Sequence, residues 1–547
     1  MGALRSLDDY KIVLTNSAII VNNYNPGDCY TLERNFKIWD MITHSYKILG
    51  MYYDSSTKKL YLPRGSDVSY IKMKIQSTMG EELSSTIIRS HKYGYTVPIG
   101  MRYMPKNDRQ EETLRFTLCK DKYQYNTSKS QFAVNLTTGA GKTYCATGTI
   151  SYLGIRSIII TAQTGILNQW IDRIMEYTNL PRSEIDLLEG SLTLNRILQD
   201  KSTHLGKSIY LVTHSTLQQY GSTYGWEKIG LVFEKLGIGI KIIDEAHMSF
   251  LNITMIDFFT NVWRTYYLTA TPNRSDRDED RIFQIYMKNV PSISLFDSDN
   301  DPHTGYISLK FNSNPKPSDI TICNNSRYGL NRIAYIGYLM KNDRFWIMFD
   351  YIFAMIYKAG GKALFYIGTN DAISIVKERI LYNYPELWND VGIYTSVITD
   401  PVEKAHEKEK KYILTTTKSA GAGEDIKHLK YSVVLAEPFK SEVLARQSLG
   451  RTRDQNTTYM ELVDVGFRQL VRFYNAKKPI FEKYALSCKN INIDNQKLLN
   501  LKEDTRLIHM ERFKRAIMFN EEYPVETLVN ISKEHKLIPA LYFTNQS

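Results

Sequence analysis

The sequence predicts an α/β fold: two parallel-sheet domains in tandem, with a small α+β N-terminal domain before them and a helical C-terminal tail after them. Three observations carry this reading. Residues 136–143 (LTTGAGKT) join an apolar run, residues 132–136, to a segment, residues 144–150, that can begin a helix. Short apolar runs ending in polar residues recur after it, as expected for buried parallel strands whose carboxyl ends carry ligands. These runs fall into two series, parted by a linker-like stretch at residues 297–325 that is rich in Asp, Asn, Ser and Pro.

Taken in order, residues 1–95 form an accessory domain. β-like runs at residues 11–21 and 59–62 lie near the turn-rich residues 54–57, and Tyr52, Tyr53, Tyr61 and Arg64 surround this hairpin. Side chains of these types can stack on bases and pair with phosphates, which makes DNA binding one reading of the domain. An ordinary core packed by its own tyrosines is the other. Residues 96–312 form the first α/β domain, with strands at 157–161 (SIIIT), 208–213 (SIYLVT), 238–243 (IGIKII) and 266–269 (YYLT).

Residues 313–480 form the second, with strands at 362–367 (KALFYI), 391–395 (VGIYT), 411–416 (KYILTT), 432–436 (SVVLA) and 459–463. Residues 481–547 are expected to be mainly helical. Lys502, Arg506, Arg512, Lys514 and Arg515 there form either a solvated helix face or a phosphate-facing stripe.

Composition narrows the function classes. Of 547 residues, 43% are hydrophobic and 23% charged, which is ordinary for globular protein. No apolar run approaches a membrane span and the first residues lack the apolar core of a signal peptide, so a soluble, intracellular protein without membrane contact is expected. The five cysteines lie far apart with no CxxC pair, which points to buried free thiols rather than zinc ligands or a disulfide framework. The net charge of +11 suits a polyanionic partner. The 39 tyrosines, with many Asn, Ile and Lys, fit an AT-rich genome.

The chemistry concentrates at two strand ends. In the first, Thr138, Gly139, Ala140, Gly141, Lys142 and Thr143 have the make-up of a phosphate-binding loop. The glycines let backbone N–H groups close around phosphate oxygens, and a helix N-terminus adds its positive dipole end. Lys142 would reach the β and γ phosphates of ATP, and the Thr143 hydroxyl would hold Mg²⁺. In the second, Asp244 and Glu245 open the tetrapeptide DEAH directly after an apolar run. Asp244 would complete the Mg²⁺ shell, and Glu245 would orient and deprotonate the attacking water. One such loop across two α/β domains suggests one ATP site in the cleft between them.

The motifs resemble, in order, those of the DEAH-type helicases of superfamily 2, whose two domains are RecA-like. Leu136 stands where the usual first glycine would be, and residues 138–143 match the TGxGKT core common in that superfamily. The resemblance implies that Gln110 reads adenine. It places Thr161 and Gln163, in IIITAQTGILNQW (158–170), on the nucleic-acid backbone, with Thr213 and, in the fourth motif, Thr369 as further contacts. LTATPNR (268–274) matches the motif that couples hydrolysis to domain movement.

ILTTTKSAGAGEDI (413–426) resembles the fifth motif, with Gly423 and Asp425 at the nucleotide and Thr416 toward the strand. QSLGRTRD (447–454) resembles the sixth, usually QxxGRxxR, through Gln447, Gly450 and Arg451. Asp454 stands where the last arginine is usual, with Arg453 one residue earlier, so the arginine finger falls to Arg451 or Arg453.

Within the superfamily, residues 105–464 look most similar to the XPB-like group, which includes phage UvsW-type recombination helicases and the poxvirus helicase that releases transcripts. The resemblance implies an ATP-dependent DNA helicase or translocase, of viral or phage type, that remodels branched DNA, R-loops or transcription complexes. Its substrate would be single-stranded, forked or R-loop DNA. An RNA helicase and the motor subunit of a restriction or defence nuclease are the alternatives.

Overall fold

The structure is a computed structural model. It describes residues 12–24, 33–40, 45–48, 50–79, 86–88, 94–136, 140–162, 164–199, 204–246, 250–269, 277–295, 304–325, 329–398, 400–420, 426, 428–439 and 457–519. The chain divides into two compact units, residues 1–298 and 299–547.

The first unit holds a seven-stranded sheet in the order Ile185–Leu187, Ile209–Thr213, Ser157–Thr161, Ile240–Ile243, Arg264–Thr269, Gln131–Leu136 and Ser292–Leu295. Every neighbouring pair is parallel. The inner strands are buried along their whole length, which is why their sequences are continuous apolar runs rather than alternating ones. Helices Lys142–Leu153, Thr164–Tyr177, His214–Tyr224 and Phe250–Phe259 connect the strands. The register pairs Ile243 with Ile160 and Thr269 with Asn135, so the ends of the central strands lie level along one edge of the sheet.

A smaller sheet in the same unit runs Tyr52–Asp54, Lys59–Pro63, Ala18–Val21, Ile12–Leu14 and Thr86–Ile88, antiparallel except for the last pair. Its tyrosines have aromatic partners within the unit. Tyr52 and Tyr61 lie 5.4 and 4.8 Å from the ring of Phe259, at the end of the helix that follows DEAH, and Tyr53 lies edge-on to Tyr24. The rings of Tyr52, Tyr53 and Tyr61 are partly buried against others of the same unit.

Polar contacts reinforce the seam. Asn16 N–H donates to Asn261 Oδ1 at 2.9 Å, its side-chain amide to Val262 O at 3.0 Å, and the Ser17 hydroxyl to Thr260 O at 2.6 Å. At Gly65, a Cβ would fall 1.9 Å from the carbonyl oxygen of Tyr286, so only glycine allows this approach to helix Arg277–Met287. The small sheet is therefore built onto the two helices that follow DEAH and LTATP in sequence.

The second unit holds another seven-stranded, fully parallel sheet, ordered Val391–Tyr394, Tyr412–Thr415, Lys362–Ile367, Leu429–Ala436, Thr457–Asp464, Thr304–Phe311 and Ser487–Ile493. The fold is thus α/β with two parallel seven-stranded sheets in tandem. Two strands depart from the sequence reading. Thr304–Phe311 lies inside the linker-like stretch, residues 297–325, yet pairs on both sides and buries Tyr306 and Phe311. Ser487–Ile493 lies within the stretch expected to be mainly helical, but forms the sheet's edge. Helix Asn495–Phe519 follows it, and its Arg512 bonds Asn383 O at 2.8 Å, pairs with Glu386 and stacks over Tyr384. Arg506 pairs with Glu503 at 2.6 Å, so both arginines are engaged within the chain.

Among the described residues no helix is long and apolar enough to cross a membrane. Cys119, Cys145 and Cys323 are buried free thiols and Cys488 an exposed one; burial pushes the Cys145 thiol up to about 12.

Candidate functional site

Strand Gln131–Leu136 ends at the glycine loop, and helix Lys142–Leu153 begins at Lys142. Gly141 adopts φ 92°, a left-handed conformation natural to glycine, and turns the chain into the helix. A Cβ there would also meet the Gln110 amide nitrogen at 2.4 Å. Gln110, on helix Asp108–Thr117, is buried, and its Oε1 accepts the Lys106 N–H at 2.9 Å. The glutamine therefore lies directly on the loop backbone. Ala140 and Thr143 flank this turn and are partly buried.

Strand Ile240–Ile243 delivers the carboxylates. Asp244 N–H bonds Ile160 O at 2.9 Å and Ala246 N–H bonds Leu268 O at 2.9 Å, which fixes the DEAH turn between the neighbouring strands. Glu245 takes φ 48°, a left-handed conformation that costs a side-chain-bearing residue about 1–2 kcal/mol. In that conformation its Oε1 lies 3.2 Å from Lys142 Nζ, with both side chains about nine-tenths buried.

Asp244 is held from two sides: Trp170 Nε1 donates to Oδ2 at 2.8 Å, and Glu245 N–H to Oδ1 at 2.9 Å. Burial, and after it the neighbouring Glu245 charge, pushes the Asp244 carboxyl up to about 6, against the pull of Lys142 and the indole N–H. The structure thus brings Lys142, Thr143, Gln110, Asp244 and Glu245 to one edge of one sheet. A lysine, a helix N-terminus and two carboxylates there can bind an anion, carry a cation and take up a proton.

The threonines assigned to the strand have local partners. Thr213 caps helix His214–Tyr224 by accepting Thr216 N–H at 3.1 Å, and Thr369 caps helix Asn370–Asn383 by accepting Ala372 N–H at 3.2 Å. Thr416 Oγ1 accepts Ser419 N–H at 3.2 Å and donates to Ser419 Oγ at 3.0 Å. Thr161 is fully buried at the end of its strand. Thr138, Gly139, Gln163, Gly423, Asp425, Gln447, Arg451 and Arg453 lie outside the described residues.

Two features escaped the sequence. Trp170 was visible in LNQW without a role, because its partner Asp244 lies 74 positions away. Behind the site runs a buried polar network: Gln131 Nε2 donates to Tyr267 OH at 2.8 Å, and Tyr267 OH to Asp257 Oδ2 at 2.6 Å. Tyr286 OH also donates to Asp257, and the Lys241 ammonium pairs with Asp257 and reaches Thr260 Oγ1 at 2.6 Å. This network joins the strands that lead into the glycine loop, DEAH and LTATP.

A glycine loop with its lysine, opposite an acidic pair at the carboxyl edge of a parallel sheet, is the arrangement of the P-loop class of folds. Comparison with known proteins sharpens the class. Residues 103–274 match the family described as Type III restriction enzyme, res subunit. A putative DNA 3'-5' helicase Rad25 of Haloarcula marismortui is 27% identical over 149 residues, covering 27% of this chain and 21% of that protein.

Among solved structures, T4 UvsW aligns over 88% of this chain and 99% of its own, at 13% identity and TM-score 0.33. Mss116p bound to ssRNA and AMP-PNP aligns over 78% and 82%, at 13% and 0.48. S. cerevisiae Dbp5 bound to RNA and ADP BeF3 aligns over 74% and 94%, at 14% and 0.47. The chain is thus similar over residues 103–274 to the res-subunit family, and over 149 residues to a protein described as a DNA helicase, of which it spans about a fifth.

Proposed function

We propose that this protein is an ATP-dependent DNA helicase or translocase that remodels branched DNA, R-loops or transcription complexes. The observation that carries the reading is the Lys142–Glu245 pair at 3.2 Å beside Asp244, all on the first parallel sheet. The residues fit Mg·ATP. The absence of a side chain at Gly141 lets Gln110 lie against the loop backbone, and the helix N-terminus and Lys142 are suited to phosphate. Each Asp244 oxygen receives one N–H bond and retains a lone pair for a cation.

In this reading Thr143 and Asp244 hold Mg²⁺, which would neutralise charge on the phosphates when bound. Lys142 turns from Glu245 to the β and γ phosphates, and the released Glu245 carboxylate orients water and accepts its proton. Gln110 bears on the nucleotide from its seat on the loop, with Thr138, Gly139, Ala140, Gly423, Asp425 and Gln447 as further nucleotide contacts. Arg451 and Arg453 stabilise the transferring phosphoryl group, Arg453 as the finger.

DNA backbone contacts fall to Gln163, Thr213, Thr369 and Thr416, whereas Thr161, fully buried, has no surface to offer DNA and serves to hold the end of its β-strand. The capped N-termini of helices His214–Tyr224 and Asn370–Asn383 offer N–H groups suited to phosphates. The match to a restriction-enzyme subunit favours, as a second reading, a motor that works within a nuclease assembly.

Strand-separation and ATPase assays on single-stranded DNA, forked DNA, R-loops and RNA duplexes test the substrate. The expected result is stimulation and unwinding with the DNA substrates, weakening steeply with salt, and turnover lost in Arg453→Ala. Stimulation by RNA alone would make this an RNA helicase. Wild-type turnover in Arg453→Ala would remove that residue from the finger role.

A further inference from the structure

The Trp170 indole is 2% exposed, and its N–H is spent on a carboxylate of the candidate site rather than on backbone. Ring burial alone would satisfy a packing role; aiming the polar edge of the ring at Asp244 does more, because it fixes the carboxylate's orientation. The other Asp244 oxygen is tied to the Glu245 backbone, so the indole supplies the only side-chain hydrogen bond recorded to this carboxylate among the described residues. Trp170 itself is held firmly. It lies on helix Thr164–Tyr177, whose Ile166, Leu167, Ile171 and Ile174 are buried beside it, so the indole cannot swing aside without opening the core. That helix begins directly after strand Ser157–Thr161, next to the DEAH strand.

We propose that Trp170 is a positioning residue for Asp244, setting the carboxylate that holds Mg²⁺ and linking the helix after Thr161 to the metal site. The inference rests on the nucleotide-hydrolase reading above. Partners that orient a metal ligand are worth about 10–100-fold in metal affinity or activity. The indole should therefore act on the cation and leave metal-free nucleotide binding alone.

The test uses the full chain with Trp170→Phe, and with 3-benzothienylalanine at position 170, which keeps the shape of tryptophan but has no N–H. Mn²⁺ affinity in the presence of ADP is read by electron paramagnetic resonance, and ADP affinity in EDTA by calorimetry. Both variants are expected to bind Mn²⁺ about tenfold more weakly than wild type, with ADP affinity in EDTA unchanged. If Trp170→Phe does not fold, the isosteric variant decides alone. Wild-type Mn²⁺ affinity in a folded variant overturns the role of Trp170 while leaving the hydrolase reading intact. Failure of the wild-type protein to bind ADP at all overturns both.

Discussion

Glu245→Gln is expected to lower ATP turnover by about 10²–10⁴-fold, the usual contribution of a positioned general base, while nucleotide binding is kept. The change preserves the shape of the side chain and removes its charge. In the wild-type protein that charge lies 3.2 Å from Lys142, with both groups largely screened from water, so phosphate must compete with the carboxylate for the ammonium. An amide competes far less, and the variant should bind ATP more tightly than wild type. Loss of turnover together with tighter binding is a signature that general misfolding cannot produce. Turnover within a few-fold of wild type would remove Glu245 from the base role.

Asp257→Ala is expected to destabilise the first unit by about 3–5 kcal/mol, the cost of breaking a buried ion pair from one side. Asp257 and Lys241 are both fully buried. Without the carboxylate, Lys241 keeps, among the described residues, the Thr260 hydroxyl, and Tyr267 and Tyr286 lose their shared acceptor. Burial already pulls the Lys241 ammonium below its usual range, with the Asp257 charge resisting that shift. Replacing both members by apolar residues, Lys241→Met with Asp257→Leu, should cost less than Asp257→Ala alone, since no charge is then left buried. Urea denaturation of the three proteins gives the comparison. A loss below about 1 kcal/mol for Asp257→Ala, no more than a surface pair is worth, would contradict the account.

The sequence was most legible where structure is local. Continuous apolar runs gave the inner parallel strands because those strands are buried on both faces, and the loop and DEAH were found because each sits at the end of such a run. The two strands of the second sheet that escaped are explained by their surroundings, as the short edge strands Ile185–Leu187 and Ser292–Leu295 of the first are by their length. Thr304–Phe311 alternates polar and apolar residues and was submerged in the composition of its polar flanks, while Ser487–Ile493 is an exposed edge with little apolar signal.

What remained hidden depends on partners distant in the chain. Tyr52 and Tyr61 meet Phe259, some two hundred residues later in the chain, a contact that no local pattern reveals. Likewise nothing near Trp170 shows that its indole reaches Asp244, and nothing near Gln131 or Lys241 reveals the network behind the site.

In the proposed function, Lys142, Asp244 and Glu245 form the phosphate-cutting edge of a nucleic-acid motor. ATP hydrolysis measured with and without forked DNA, on the wild-type protein and on Lys142→Ala, tests it most directly. The account predicts hydrolysis that DNA accelerates in the wild type and that is absent from the folded variant under both conditions. Equal hydrolysis by the two proteins, or none by the wild type on any DNA or RNA, would contradict it.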